Sequence, residues 1–214
     1  MDQSVLNRNL RLQTSAVPQQ PMSRPQEFST SEALHQAMGV FWRKGYEATS
    51  LTDLLAATGL SKSSLYATFG SKRDLFLTAF DAYRQARARD AHQVLQQAPA
   101  RQAIDAFFHQ LFADVVTDQP ALGCMSINQA VELAPHDPAV RERVVQDLRL
   151  MEEVLTQAIA RGQQDGSLTS PRPARDLAKL LVLAFPGLQV MARAGYSQLE
   201  LDDALHLLFT HLDS

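Results

Sequence analysis

The chain has 214 residues, 45% of them hydrophobic and 20% charged, enough apolar side chains for one large or two small packed domains and too many for a chain disordered throughout. Its longest apolar run, Leu180 to Phe185, is far short of a bilayer span, and no basic stretch leads into a hydrophobic one at the N-terminus, so a cytoplasmic protein without a membrane partner is expected. The net charge of -3 is unevenly spread: residues 1–80 hold eight Lys and Arg against six Asp and Glu, and the remainder twelve against seventeen, a direction that suits a DNA-facing N-terminal part on an acidic body.

In chain order, residues 1–26 are rich in Gln, Asn, Ser and Pro, with Pro18, Pro21 and Pro25 breaking any helix, and read as a flexible arm. The pattern then turns helical. Leu34, Ala37, Met38, Phe41 and Trp42 form one apolar stripe ending at Gly45. Ser50 with Asp53 makes a capping-box signature for a short second helix that Gly59 ends. Ser61 caps a third, with Leu60 placed to staple against Leu65 and Phe69 continuing the face. Ser71 and Asp74 repeat the capping box and open a fourth helix with Leu75, Phe76, Ala79, Phe80 and Tyr83 on its stripe.

Beyond Pro99 the helices lengthen. Ile104, Phe107, Phe108, Leu111, Phe112 and Val115 mark a fifth, and Ile127, Ala130 and Val131 a sixth. Asp137 and Pro138 read as cap and first position of a seventh, with Val140, Val144, Leu148, Met151, Leu155 and Ile159 inward and Gly162 near its end. An eighth helix spans about 173 to 193, with a kink expected at Pro186 and Gly187. The ninth uses Leu201, Ala204, Leu205, Leu208 and Phe209, and no strand is expected. The class is all-α, with about nine helices.

The second and third helices, joined by a glycine turn over about 51–70, have the spacing of a helix-turn-helix, whose second helix enters the major groove. At about 100° per residue, turning Leu65 inward puts Ser63 and Ala67 on the opposite face, with Ser64 and Tyr66 flanking them. Small side chains let a backbone approach DNA, hydroxyls donate to phosphates or base edges, and an alanine methyl touches a thymine methyl. Lys62 and Lys72 lie in first turns, where free N–H groups already favour an anion. A helical hairpin with capped ends and a core-edge tyrosine accounts for the same spacing.

The stretch GYEATSLTDLLAATGLSKSSLYATFGSKRDL, Gly45 to Leu75, resembles the DNA-binding signature of the tetracycline-repressor (TetR) family nearly residue for residue. The resemblance implies a three-helix DNA-binding domain over 27–75 and a larger helical ligand-binding and dimerisation domain over 76–214. It implies a homodimeric repressor on a palindromic double-stranded operator, released by a small-molecule effector, with helices eight and nine pairing with their copies. Residue by residue it places Ser50 and Thr52 on backbone or base, Lys62, Ser63, Ser64 and Ala67 on bases, and Tyr66 and Lys72 on phosphate. Thr68 belongs to the same surface but stands where members often have His, so a phosphate contact carries over least well there. Arg8, Arg11 and Arg24 are candidates for an adjacent minor groove.

In the body, Phe107, Phe108, Phe112, Met125, Met151 and Phe185 read either as core or as the lining of a pocket for an apolar or aromatic effector. Cys124, the only cysteine, excludes an internal disulfide. At the start of the sixth helix it reads as a redox- or electrophile-sensing thiol with a lowered pKa, or as a buried small hydrophobe. Glu132, His136 and Asp137 are close in sequence, but a turn explains them as well as a metal site does, and neither metal nor cofactor is expected. An all-helical enzyme would need a motif that is missing: there is no His-Glu-x-x-His, Gly-x-Ser-x-Gly or phosphate loop. A helical adaptor would lack salt-dependent affinity for duplex DNA.

Overall fold

The computed structural model describes residues 29–111 and 122–213, and within them the chain is helical with no strand. In order the helices are α1 Thr30–Lys44, α2 Leu51–Thr58, α3 Lys62–Phe69, α4 Lys72–Leu95, α5 Ala100–Gln110, α6 Met125–Glu132, α7 Pro138–Asp165, α8 Ala174–Arg193 and α9 Gln198–Phe209. The proposed arm, Arg8, Arg11 and Arg24, and the continuation of the fifth helix through Phe112 and Val115 lie outside the described residues.

Caps set the starts of the N-terminal helices. Ser50 and Ser71 each accept from the backbone N–H three residues on, while Asp53 and Asp74 reach back to the cap N–H, closing both capping boxes. Ser61 accepts from the Ser64 N–H. Between α2 and α3 the chain turns at Gly59, whose φ of 68° lies in the left-handed region that glycine enters without a Cβ clash. Asp137 accepts from the N–H groups of Ala139 and Val140 at the head of α7, and Pro138 fills a first-turn position that needs no donor.

Two apolar cores result. The first gathers Phe41, Leu54, Leu65, Leu75, Phe76 and Phe80 from α1–α4, and closes with Met125, Leu133, Val140 and Val144 from α6 and α7. The second gathers Leu95, Ile104, Phe108, Leu155, Ile159, Leu181 and Phe209 from α4, α5 and α7–α9. The long α4 enters both, so the head and the body share a beam. Polar bonds fasten it to α7: Arg143 and Arg84 both bind Asp81, and Arg84 also binds Asp147.

Two details differ from the periodicity. Val131, read as part of the inward stripe of α6, is 77% exposed, because this eight-residue helix turns Met125, Ser126, Ile127 and Gln129 inward instead. The helical assignment of α8 continues through Pro186, the position where the kink was expected.

Candidate nucleic-acid interface and effector cavity

α3 holds to the head through Leu65, which is fully buried, with Tyr66 and Phe69 half-buried at the core edge. Lys62, Ser63, Ser64, Ala67 and Thr68 are exposed, as are Ser50 and Thr52 at the start of α2. The expected DNA-facing residues are therefore open to solvent, except Tyr66 and Lys72, which are half-buried.

Several of these groups already have partners. The Ser61 hydroxyl lies 2.9 Å from that of Ser63 and 2.8 Å from that of Ser64, a serine cluster over the N-terminus of α3. Ser50 donates to Asp53 Oδ2 at 2.8 Å, so its hydroxyl serves the cap first. The Lys72 ammonium stands 4.4 Å above the Tyr46 ring, a cation–π contact that holds the cation beside the turn. Sequence reading had Ser61 as the cap of α3 but not as a partner of Ser63, and gave Tyr46 no contact with Lys72, although an aromatic beside Gly45 was a visible signal. Lys44 donates to Asp53 at 2.6 Å; that bond and those from Ser50 hold the Asp53 carboxyl far below its ordinary range.

The head joins the body through α6. Gly45, at φ 82°, ends α1 against Glu132: the left-handed φ favours glycine, and a Cβ there would lie 2.8 Å from Glu132 Oε1 and force that carboxylate to move. The same Oε1 accepts the Glu47 N–H at 2.9 Å. The Trp42 indole N–H donates to the Gly123 carbonyl at 3.0 Å, and Arg73 grips Asp137 from Nε to Oδ2 at 3.2 Å and from Nη2 to Oδ1 at 3.1 Å. No local sequence signal could have tied Glu132 to the turn after α1, because the Glu47 N–H that it accepts lies 85 residues away. Glu132 and Asp137 are thus committed to the head, and among the described residues no group of three or more His, Cys, Asp or Glu is placed to hold a metal.

A cavity of about 140 Å³ lies where α1, α4, α5, α7 and α8 meet. Phe107, Met151 and Phe185 line it, as do Trp42, Tyr83 and Cys124. Two other residues read as lining go elsewhere. Phe108, one helical position round from Phe107, packs edge-on against Phe209 with centroids 5.5 Å apart. Met125 is buried in the head core. Phe112 lies outside the described residues.

Cys124 is the cap residue of α6. The expected direction of its pKa is reversed: burial pushes the thiol up, outweighing the backbone N–H of Ile127, the Tyr83 hydroxyl and the N–H of Ser126. Tyr83 donates to Cys124 Sγ at 3.6 Å and accepts the Met125 N–H at 3.1 Å. The thiol therefore stands at the cavity wall largely as SH near neutral pH.

Comparison with known proteins bears on both sites. Residues 33–79 match the family model for bacterial regulatory proteins of the tetR family, and residues 100–208 match a tetracyclin repressor-like C-terminal domain. The chain is 36% identical over 149 residues to an uncharacterized HTH-type transcriptional regulator, YezE, of Bacillus subtilis (strain 168), which covers 69% of this chain and 76% of that protein. It is 31% identical over 176 residues to the HTH-type transcriptional repressor ComR of Escherichia coli (strain K12), covering 81% and 84% of the two chains. Among solved structures, a cysteine mutant of the TetR family regulator CifR complexed with a 26-bp double-strand operator DNA superposes with a TM-score of 0.77 at 29% identity, covering 88% of this chain and 99% of that one. The reduced form of E. coli NemR, at 21% identity and a TM-score of 0.76 over 84% of this chain and 94% of that one, shares the fold.

Proposed function

This chain belongs to the tetR family of bacterial regulatory proteins, and from that premise we propose that it is a homodimeric repressor that binds a palindromic operator and leaves it when a small molecule fills its body. The carrying observation is the division of α3 into a buried anchor, Leu65, and an exposed face of Lys62, Ser63, Ser64, Ala67 and Thr68. A CifR mutant of similar fold is complexed with operator DNA. In this reading Ser63, Ser64 and Ala67 touch base edges, and Tyr66, Lys62 and Lys72 hold phosphates. Ser50, Thr52 and Thr68 complete the surface from the rim of α2 and the far end of α3.

A helix-turn-helix gains affinity from two half-sites one DNA turn apart, so a second copy is needed. The outer face of α8 supports one: Leu183 and Val190 are 78% and 60% exposed, seven residues apart on one stripe, and Leu207 of α9 is 68% exposed. An apolar surface of this kind fits a four-helix interface built from α8, α9 and their copies. A ligand in the cavity, which touches Trp42 of α1 and Ser126 and Ile127 of α6, favours a spacing of the heads that no longer matches the operator. Sensing through Cys124 is the rival regulation of this cavity, and the raised thiol pKa weighs against it.

Footprinting on the DNA flanking the protein's own coding region tests the reading. A symmetric protected site is expected. Tyr66→Phe and Lys72→Ala each weaken binding across sequences, with Lys72→Ala lowering the salt slope by about one, whereas changes at Ser63 or Ala67 shift the preferred base by about 1–3 kcal/mol. Unchanged affinity and salt slope in both Tyr66→Phe and Lys72→Ala overturn the assigned orientation of α3.

A further inference from the structure

The charged side chains around the cavity are committed to one another. Arg84 donates to Asp147 at 2.7 Å and to Asp81 at 2.8 Å, Arg87 pairs with Asp90 at 2.8 Å, and Asp147 also accepts the Ser126 hydroxyl at 2.6 Å. A charged ligand would find no uncompensated partner among them and would lose its hydration on entry. One polar side chain of the wall is different. Gln189 of α8 is 5% exposed, lines the cavity, and forms no hydrogen bond among the described residues. Its Oε1 is turned toward Gly123, 3.5 Å from where a Cβ on that glycine would stand, which leaves the Nε2 hydrogens as free donors.

The Gln189 amide is not among the fully enclosed side-chain groups without a partner, so it reaches the cavity space and is open to a ligand. The surrounding wall is apolar, from Phe107, Leu148, Met151 and Phe185. The volume, about 140 Å³, matches the roughly 150 Å³ of a cavity that holds one benzene ring. We propose that this cavity binds an uncharged, single-ring aromatic molecule bearing a carbonyl group, whose oxygen accepts a hydrogen bond from the Gln189 amide.

The inference rests on the regulator reading only for what binding does to DNA; occupancy itself is measured without DNA. Calorimetric titration of the full-length protein compares acetophenone, ethylbenzene and benzoate, which share the ring and differ in the polar group. Acetophenone should bind at least about tenfold more tightly than the other two, with a change in emission from Trp42, the chain's single tryptophan, at the cavity wall. Gln189→Leu, close in volume, should remove that preference while the free protein keeps its helical content, read by far-UV circular dichroism. A second variant, Gln189→Met, should do the same. Cys124→Ala should leave acetophenone affinity within about twofold, because the ligand's polar bond is to the amide.

Equal affinity for acetophenone and ethylbenzene, tightest binding of benzoate, no saturable binding of any of the three, or loss of acetophenone binding in Cys124→Ala but not in Gln189→Leu would each overturn the proposal. Operator footprinting without ligand stands or falls separately, so failure here is distinct from failure of the DNA reading.

Discussion

The two cores of this chain differ in what they leave outside. Around Phe41, Phe76 and Phe80 the head closes completely: the three rings are buried, and Phe76 meets Phe41 edge-on at 5.2 Å and stacks against Phe80 at 5.8 Å. Its outward helix shows serines, an alanine and a threonine. The body closes around Leu155, Ile159 and Leu181, yet leaves Leu183, Val190, Leu199 and Leu207 more than half exposed. It also keeps a cavity with the Gln189 amide in its wall. A region complete within one chain can present a small polar face to a rigid partner such as DNA. A region incomplete by itself is suited to a second copy and to a ligand.

That contrast can be broken most directly at Phe76. Phe76→Ala should cost the head about 3–5 kcal/mol, read as a fall in the urea midpoint, and the loss should not depend on protein concentration because the core belongs to one chain. Leu183→Glu combined with Val190→Glu should behave in the opposite way. Sedimentation should shift from dimer toward monomer, and operator affinity should fall on the order of 100-fold or more as the second half-site is lost. An unchanged dimer would mean that the exposed stripe of α8 serves something else.

Glu132→Ala tests the joint between the regions. The Glu47 N–H and the Gln129 amide both lose an acceptor at 2.9 Å, and a loss of about 1–2 kcal/mol is expected. Hydrogen exchange should quicken at Glu47, and equal protection in the variant would mean that the joint does not hold the turn after α1.

The smallest effect is acidic. Asp53 is held below its ordinary pKa by the Lys44 bond and then by Ser50, and Asp74 by the Ser71 hydroxyl and N–H. Each binds a proton more weakly folded than unfolded. Their contribution is therefore complete above the unfolded value of 3.8 and is lost as pH falls through the lower folded values. The urea midpoint should be flat from about pH 7 to pH 5 and decline below about pH 4. Replacing both with Asn should flatten that decline.

Much of the head was legible because its signals are local. Ser50 with Asp53, Gly59, Ser61, and Ser71 with Asp74 act within three or four residues, and the 3.6-residue period alone turns Leu65 inward and Ser63 and Ala67 outward. The body was less legible. Phe107 and Phe108 are neighbours in sequence and equally apolar, yet one lines the cavity and the other meets Phe209. Cys124 had the helix N-terminus expected to acidify it, but burial won.

The sequence by itself determined the helices, their caps, the helix-turn-helix and the family, since all of these rest on residue types at short fixed spacing. It took packing to show that Glu132 seats the turn after α1, that Arg84 and Asp147 neutralise each other, and that Gln189 lines a cavity. The physical reason is that pairing and desolvation depend on what packs against a group. For these residues the neighbours come from parts of the chain more than sixty positions away, where no local pattern reaches.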